Sequence, residues 1–347
     1  PLILPRVPAA ECRLTIELDG FRSVGTVVTG DDTATFTGRL VLEPDAVWQH
    51  ESALETAPVF GAEGSLFLVD RSGQVLRTDA RLQQVAWSFR TGDLSGWLTR
   101  PVLDGTDVVF ASLDGELRAI DVATGKPSWS LPDLATEVET ACVQRTLFVA
   151  GVDRRLHAID LGERRRLAVE LPQPAHGRLL VLGSRVIVVG ERGLLVAHRL
   201  PDLAQAWQRD LPEFRSPHAL LHGEVAVVSD EQGHVVGVAC TGGDVVWRAD
   251  LGAATLGAAV ACGDALCFVM PARIARLDPR TGTELTPFPC GEQDFAGAPQ
   301  SIGDRLVVPL KDGSIQVLDG LSGRRLYRLE GGKRSRLLVA GERVFVS

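Results

Sequence analysis

Short apolar runs and turn signals alternate along most of this chain. In residues 101–131 the runs PVL, VVFAS, LRAID and SWSL are separated by DGTD, LDGE and ATGK. Runs of this length between Gly and Asp turns predict strands joined by hairpins. Four strands without helical periodicity predict one four-stranded antiparallel sheet. The same pattern recurs at 64–79, 183–198, 223–239 and 303–319.

Aromatic residues recur with a period near 40 residues. Six of eight evenly spaced positions carry Trp or Tyr, and the other two are Ala168 and Thr286. The six aromatics are Trp48, Trp87, Trp129, Trp207, Trp247 and Tyr327. A fixed period of this length indicates one structural unit copied many times. Because each such ring buries roughly 150–250 Å², we interpret the six as docking residues that pack one sheet against the next.

The units predict an all-β fold, an eight-bladed β-propeller of four-stranded antiparallel blades. Seven units run from residue 59 to about 331. The last segment, SRLLVAGERVFVS, supplies two further strands, and residues 33–49 supply two more. We therefore expect the N- and C-terminal strands to share the eighth blade and close the ring, an arrangement that leaves only short sheet edges. Residues 34–347 form this propeller, and residues 1–33 form an extension with extra strands on the rim.

The turn before the docking position resembles a known repeat. The segment 121–129, DVATGKPSW, is similar to the tryptophan-docking motif of pyrroloquinoline-quinone-type, BamB-like propeller repeats. Residues 278–282 and 319–327 repeat it, and 241–247 keep its second half. The unit at 141–171 departs from the motif, with GERRR at the turn and Ala168 at the docking position, and the unit at 259–289 has Thr286. We expect looser packing at these two units.

The resemblance implies a non-catalytic scaffold that holds partner proteins. The alternative is a quinone-dependent oxidoreductase or a small-ligand sensor that uses the central funnel, since quinone-dependent dehydrogenases share the repeat. Those enzymes have adjacent cysteines, a set of acidic and amide residues that binds calcium, and a longer chain. In this chain no two cysteines are adjacent. The chain also has no GxSxG, P-loop, GxGxxG or HExxH motif. We therefore assign no catalytic residue, cofactor or metal ligand.

Two histidines and two cysteines have spacings that invite a closer look. His218 and His222 are four apart on a predicted strand, which separates them by about 13 Å and makes them rim residues rather than a metal site. The six cysteines include no CxxC pair, and we expect them to pack as small apolar side chains. A disulfide between Cys262 and Cys267, which flank a predicted hairpin turn, is the alternative.

Charge and hydropathy restrict the partners. The net charge of −8 argues against a broad nucleic-acid-binding surface, and no apolar run reaches the 18 residues of a membrane span. The first residues lack the pattern of an intact signal peptide. We expect a cytoplasmic protein, or a periplasmic or secreted one if a leader has been removed.

The loops that connect successive blades are the predicted partner-binding surface. They lie on one face of the ring and carry aromatic and Arg side chains, the types that dominate protein interfaces. The candidates are Trp97, Phe214, Arg215, Phe295, Arg334 and Arg336. Trp97 is the one Trp outside the repeat phase. The alternative to an interface role is that its side chain folds back onto its own blade. Arg164–Arg166 lie on the opposite face, where a solvated turn is the simpler interpretation.

Overall fold

The computed structural model consists of antiparallel sheets. It describes residues 12–16, 21–22, 24–28, 41–42, 52, 54, 56–79, 82, 84–91, 99–112, 115–134, 139–288, 294–329, 337–340 and 343–346. Seven sheets have four strands each, paired in chain order, and they are numbered here as blades 1 to 7. A 3₁₀ helix, Ala62–Gly64, interrupts blade 1. The all-β, propeller-type fold predicted from the sequence is confirmed.

The strand bounds follow the repeat. Before the blades come β1 (Cys12–Ile16), β2 (Phe21–Arg22), β3 (Val24–Val28) and β4 (Val41–Leu42). Blade 1 comprises β5 (Val59–Phe60), β6 (Leu66–Val69), β7 (Gln74–Thr78) and β8 (Val85–Arg90). Blade 2 comprises β9 (Val102–Asp104), β10 (Asp107–Ala111), β11 (Leu117–Asp121) and β12 (Pro127–Leu131). Blade 3 comprises β13 (Glu139–Val143), β14 (Thr146–Ala150), β15 (Arg155–Asp160) and β16 (Arg165–Glu170). Blade 4 comprises β17 (Leu180–Leu182), β18 (Arg185–Val189), β19 (Leu194–Arg199) and β20 (Gln205–Asp210).

The remaining blades repeat this order. Blade 5 comprises β21 (His218–His222), β22 (Val225–Ser229), β23 (His234–Ala239) and β24 (Val245–Asp250). Blade 6 comprises β25 (Val260–Cys262), β26 (Ala265–Val269), β27 (Ile274–Leu277) and β28 (Glu284–Phe288). Blade 7 comprises β29 (Gln300–Ile302), β30 (Arg305–Pro309), β31 (Ile315–Asp319) and β32 (Arg325–Leu329). The last hairpin is β33 (Leu337–Ala340) and β34 (Arg343–Val346).

The first strand of each blade is the innermost and the fourth is the outermost. First strands of neighbouring blades lie side by side, as β13 and β17, β17 and β21, and β25 and β29 do. Outer strands are largely exposed, whereas second strands such as β6 and β26 are wholly buried. The apolar clusters lie in the seams between blades: one joins Leu195 of blade 4 to Val236 of blade 5. Burial between the sheets, rather than within one sheet, therefore holds the ring together.

Trp87, Trp207 and Trp247 each lie against the turn between the third and fourth strands of the next blade. A Cβ added at Gly125 would come within 2.7 Å of the ring of Trp87, and Gly125 has a φ of +69°. Only glycine combines this left-handed conformation with such close approach. Trp87 Nε1 donates to the carbonyl of Val122, 2.8 Å away, in the same turn. Trp207 and Trp247 make the equivalent contacts with blades 5 and 6.

At two seams the docking side chain differs from the one that the spacing indicated. In blade 6, Phe288 rather than Thr286 packs on the glycine of the next blade, with a Cβ at Gly323 only 2.3 Å from its ring. In blade 3, Leu167 rather than Ala168 pairs with Ala158, the position that Trp129 occupies opposite Ala119 in blade 2. The reason is a register shift between the third and fourth strands, the mark of a β-bulge, which blade 3 lacks and blade 6 places differently.

The C-terminal hairpin lies between the last and the first complete blades. Strand β33 is beside β29 of blade 7, and its Leu338 packs against Leu66, Leu68 and Leu76 of blade 1. This is the place of the predicted eighth blade. Strand β4 lies beside β32 and pairs with β2, and β1 pairs with β3. Trp48 lies outside the described residues, and the boundary at residues 33–34 stays a prediction.

Cys142, Cys240, Cys262 and Cys267 are free thiols. Cys262 and Cys267 are both buried in blade 6, and they are not joined in a disulfide. Their side chains share a hydrogen bond, and this bond together with burial raises the pKa of Cys267. The pair therefore packs as apolar side chains do, as the sequence indicated.

Candidate functional site

The loops that connect blades are tied to the turn between the second and third strands. Leu211 N donates to Gly193 O over 3.1 Å, and Leu251 N donates to Gly233 O over 3.0 Å. A Cβ at Gly193 would lie 2.2 Å from the carbonyl oxygen of Leu211, so glycine gives the two segments room to approach in blade 4. Blades 1, 2 and 3 make the same contact, and in blade 3 Arg154 takes the place of the glycine with a φ of +57°. This face of the ring, called the loop face below, is therefore held by backbone hydrogen bonds.

The prediction that Phe214 and Phe295 are surface residues is wrong. Each side chain is only 1% exposed, and each belongs to an apolar cluster that spans two blades. Phe295 also forms an isolated bridge with Leu310, as Leu54 does with Asp70. The loops thus carry one apolar side chain inward to fill the seam below them. The recurrence of an apolar residue at this loop position was the signal that would have indicated packing.

Arg215 lies on the surface of the loop face, as predicted from the sequence. Its Nη1 donates to the carbonyls of Pro212, at 2.5 Å, and Phe214, at 2.8 Å, and the side chain is exposed. These bonds fix the base of the loop while other guanidinium donors face solvent. Trp97, Arg334 and Arg336 lie outside the described residues, so the structure does not place them beside Arg215.

An open cleft of about 310 Å³ lies next to this loop, a feature that the sequence did not indicate. It runs between the loop after blade 4 and the outer part of blade 5, and its lining is Glu213, Phe214, His234, Val235, Arg248, Ala249 and Asp250. Arg248 forms an ion pair with Glu213 across the cleft. At the base of the cleft, the rings of Phe214 and His234 meet in an edge-to-face arrangement, with 6.2 Å between their centroids.

His234 is held in one orientation by a buried carboxylate. Its Nδ1 is 2.8 Å from Oδ2 of Asp230, which is fully buried. The other oxygen of Asp230 accepts from the backbone N–H groups of Gln232, Gly233 and His234. The hydrogen bond that His234 donates to Asp230, and then the charge of Asp230, raise the pKa of His234. The seven lining residues include no Ser, Thr or Cys, so this His–Asp pair has no nucleophile beside it within the cleft.

A second pair of histidines lies further in on the same face. The rings of His176 and His218 are 6.5 Å apart, and burial followed by the charge of His176 lowers the pKa of His218. Within the described residues, no three His, Cys, Asp or Glu side chains cluster closely enough to hold a metal ion. Nor does any helix among them have the length and apolar character needed to cross a membrane.

Comparison with known proteins identifies the repeat. Solved structures similar to the chain include BamB from Moraxella catarrhalis, with 17% identity, a TM-score of 0.67, and coverage of 86% of this chain and 96% of that one. The computationally designed Ika8 protein matches with 15% identity, a TM-score of 0.72, and coverage of 86% and 93%. Saccharomyces cerevisiae Sqt1 matches with 12% identity, a TM-score of 0.68, and coverage of 85% and 91%. These identities show a shared fold alone.

The sequence itself gives the family. A comparison with curated proteins finds no match. The family model described as outer membrane protein assembly factor BamB matches residues 40–143, 131–266 and 231–347. These ranges overlap and together cover the chain from residue 40, just before β4, to residue 347. On this match, the chain belongs to the BamB family of quinoprotein-type propeller repeats.

Proposed function

We propose that the chain is a non-catalytic scaffold that binds partner proteins through its loop face, in an assembly or adaptor role. The observation that carries this proposal is the rigid presentation of Arg215 beside the cleft. Loops that are tied by backbone hydrogen bonds and anchored by buried Phe214 lose little conformational freedom on binding, which lowers the cost of association. The name of the family, an assembly factor, supports the same role.

The chemistry of the cleft favours a partner with charged groups. Glu213, Arg248 and Asp250 are exposed around it, whereas Phe214 and Val235 are each only 1% exposed and belong to the apolar packing beneath it. Charged groups arranged in this way select a partner of complementary charge. Trp97, Arg334 and Arg336 belong to the proposed surface on the basis of their loop positions in the sequence.

The test is a quantitative binding measurement with a partner captured from native lysate. The double variant Trp97→Ala, Arg215→Ala is expected to fold normally and to lose affinity by at least about a hundredfold, because truncated interface anchors typically cost ~2 kcal/mol or more each. Arg280→Ala is the matched control: Arg280 is exposed on a turn of the opposite face and its variant should bind as the wild type does. Unchanged binding by the double variant would show that the interface does not include Trp97 and Arg215.

The enzymatic alternative has its own readout. A quinone-loaded protein absorbs visible light, and a quinone-dependent dehydrogenase reduces a dye with an alcohol or a sugar when quinone and calcium are supplied. Purified protein that did so would overturn the scaffold proposal, whatever the outcome of the binding measurement.

A further inference from the structure

The outer strand of blade 3, β16, is the most regular of the outer strands in blades 1 to 7. Its pairing with β15 runs without interruption from Arg165 to Glu170. In the other six blades, the pairing of the third and fourth strands contains a register shift. Bulges of this kind blunt a sheet edge against further pairing. Blade 3 therefore presents a straight edge that the other described blades do not.

The hydrogen bonds between β15 and β16 indicate which backbone groups of β16 point away from the blade. Leu171 N donates to the carbonyl of Arg154 over 2.8 Å. Since inward and outward residues alternate along an antiparallel strand, residues 165, 167 and 169 bond to β15. Arg166, Ala168 and Glu170 therefore direct their N–H and C=O groups away from the blade. In blade 5 the same alternation gives only two residues, Arg248 and Asp250, whose N–H and C=O groups point away from the blade before the register shift interrupts the strand.

When β16 pairs with β16 of a second copy, the side chains that face each other are complementary. Two copies of an antiparallel strand related by a two-fold axis must have that axis at a residue, because only then do opposed side chains share a face. With the axis at Ala168, Ala168 faces its own copy, Arg166 faces Glu170 of the second copy, and Leu167 faces Val169 of the second copy. Opposite charges and apolar pairs at directly opposed positions both stabilise a sheet.

We propose that two copies of this chain associate through β16, so that blade 3 of each ring forms one continuous eight-stranded sheet. The side chains fit this use. Ala168 is exposed and small, and Leu167 is 43% exposed although apolar, so both gain contacts in the pair. Arg166 Nη1 donates to the carbonyls of Pro132 and Asp133, which fixes its guanidinium while other donors stay available for a carboxylate. The association is isologous and closes at two copies.

A charge-reversal series tests the register directly. The wild type should sediment as a concentration-dependent dimer in analytical ultracentrifugation. Arg166→Glu sets two carboxylates opposite each other in the pair, and Glu170→Arg sets two guanidinium groups opposite each other. Each variant alone should therefore dissociate at least about tenfold more readily. An equal mixture of the two variants restores both opposite-charge pairs and should form heterodimers. A mixture that stays monomeric, or a wild type that is monomeric at all concentrations, would overturn the proposal.

Two proline substitutions distinguish the loss of the sheet edge from the loss of the fold. Ala168→Pro removes an outward N–H that makes no bond within the blade, so the variant should fold and lose dimerisation. Gln208→Pro is the control, because Gln208 is an outward position on β20 of blade 4 and bonds nothing there by the same alternation. Equal dimerisation of Ala168→Pro and the wild type would show that the contact lies elsewhere. Loss of dimerisation in the Gln208→Pro variant would do the same.

Discussion

Two seams of this ring are filled from opposite sides. Between blades 5 and 6, Trp247 of the first blade is 7% exposed and lies on Gly282 of the second, where a Cβ would come 2.4 Å from the ring. Between blades 3 and 4, Leu167 of the first blade is exposed, and Leu203 of the second is 1% exposed. Leu203 occupies the turn position that Gly282 holds in blade 6. At the seam of blades 5 and 6 the large side chain is on the outer strand, whereas at the seam of blades 3 and 4 the buried side chain is on the turn.

The turn geometry is the same at both seams. Gly282 has a φ of +70° and Leu203 a φ of +54°, although the left-handed conformation costs a branched residue roughly 1–2 kcal/mol. His198 Nδ1 donates to the carbonyl of Leu203 over 2.8 Å and holds the turn in place. A cavity of about 10 Å³, bordered by Leu194 and Val196, remains at the seam of blades 3 and 4. This cavity does not border Leu203 or Leu167, so the exchange keeps the backbone of the turn and fills its end of the seam with Leu203.

The largest expected effect is at the tryptophan seam. Trp247→Ala should lower the free energy of unfolding by about 3–5 kcal/mol, because it removes a buried ring and the hydrogen bond from Nε1 to the carbonyl of Pro279. Chemical denaturation measures the change. A loss below ~1 kcal/mol would mean that the ring does not hold the blades together.

At the other seam the receiving turn should be the sensitive side. Leu203→Ala should cost about 2–3 kcal/mol, since it opens a cavity at a buried position while leaving the backbone strain unchanged. The same denaturation experiment applies. If Leu203→Ala proved neutral, the proposal that Leu203 replaces the docking ring would be wrong.

Acid should weaken the seam of blades 3 and 4. Burial lowers the pKa of His198 below its ordinary value of 6.5, so the unfolded chain takes up the proton first. The contribution of neutral His198 is present above pH 6.5 and is lost as the pH falls below it. His157 and His218 shift in the same direction and His234 in the opposite one. The melting temperature of His198→Leu should therefore depend less on pH than that of the wild type between pH 7 and pH 5.

The smallest effect is expected at the docking position of blade 3. Leu167→Ala should change the free energy of unfolding by less than ~1 kcal/mol, because the side chain is half in solvent. A loss comparable to that of Trp247→Ala would show that Leu167 docks as a tryptophan does, and that the two seams are built alike after all.

The repeat made most of the fold predictable, because Trp and Gly at fixed spacing leave few other solutions. Trp87 and Gly125 already mark a seam in the bare sequence. Spacing alone could not place Leu167 or Phe288, because a bulge adds a residue without any signal of its own. It also could not distinguish a loop aromatic that faces solvent from Phe214, which turns inward. Among the predicted interface residues that the structure describes, only Arg215 lies at the surface.

The contact of Leu338 with blade 1 sets an order on the synthesis of the molecule. Leu66, Leu68 and Leu76 leave the ribosome long before Leu338, the residue that packs on them, because most of the repeats lie between the two segments. At ~5–20 residues per second, the flank of the first blade stays bare for on the order of tens of seconds. During that interval these apolar side chains lack the contact with Leu338, and the flank of blade 1 is a surface that a chaperone specific for apolar groups can bind.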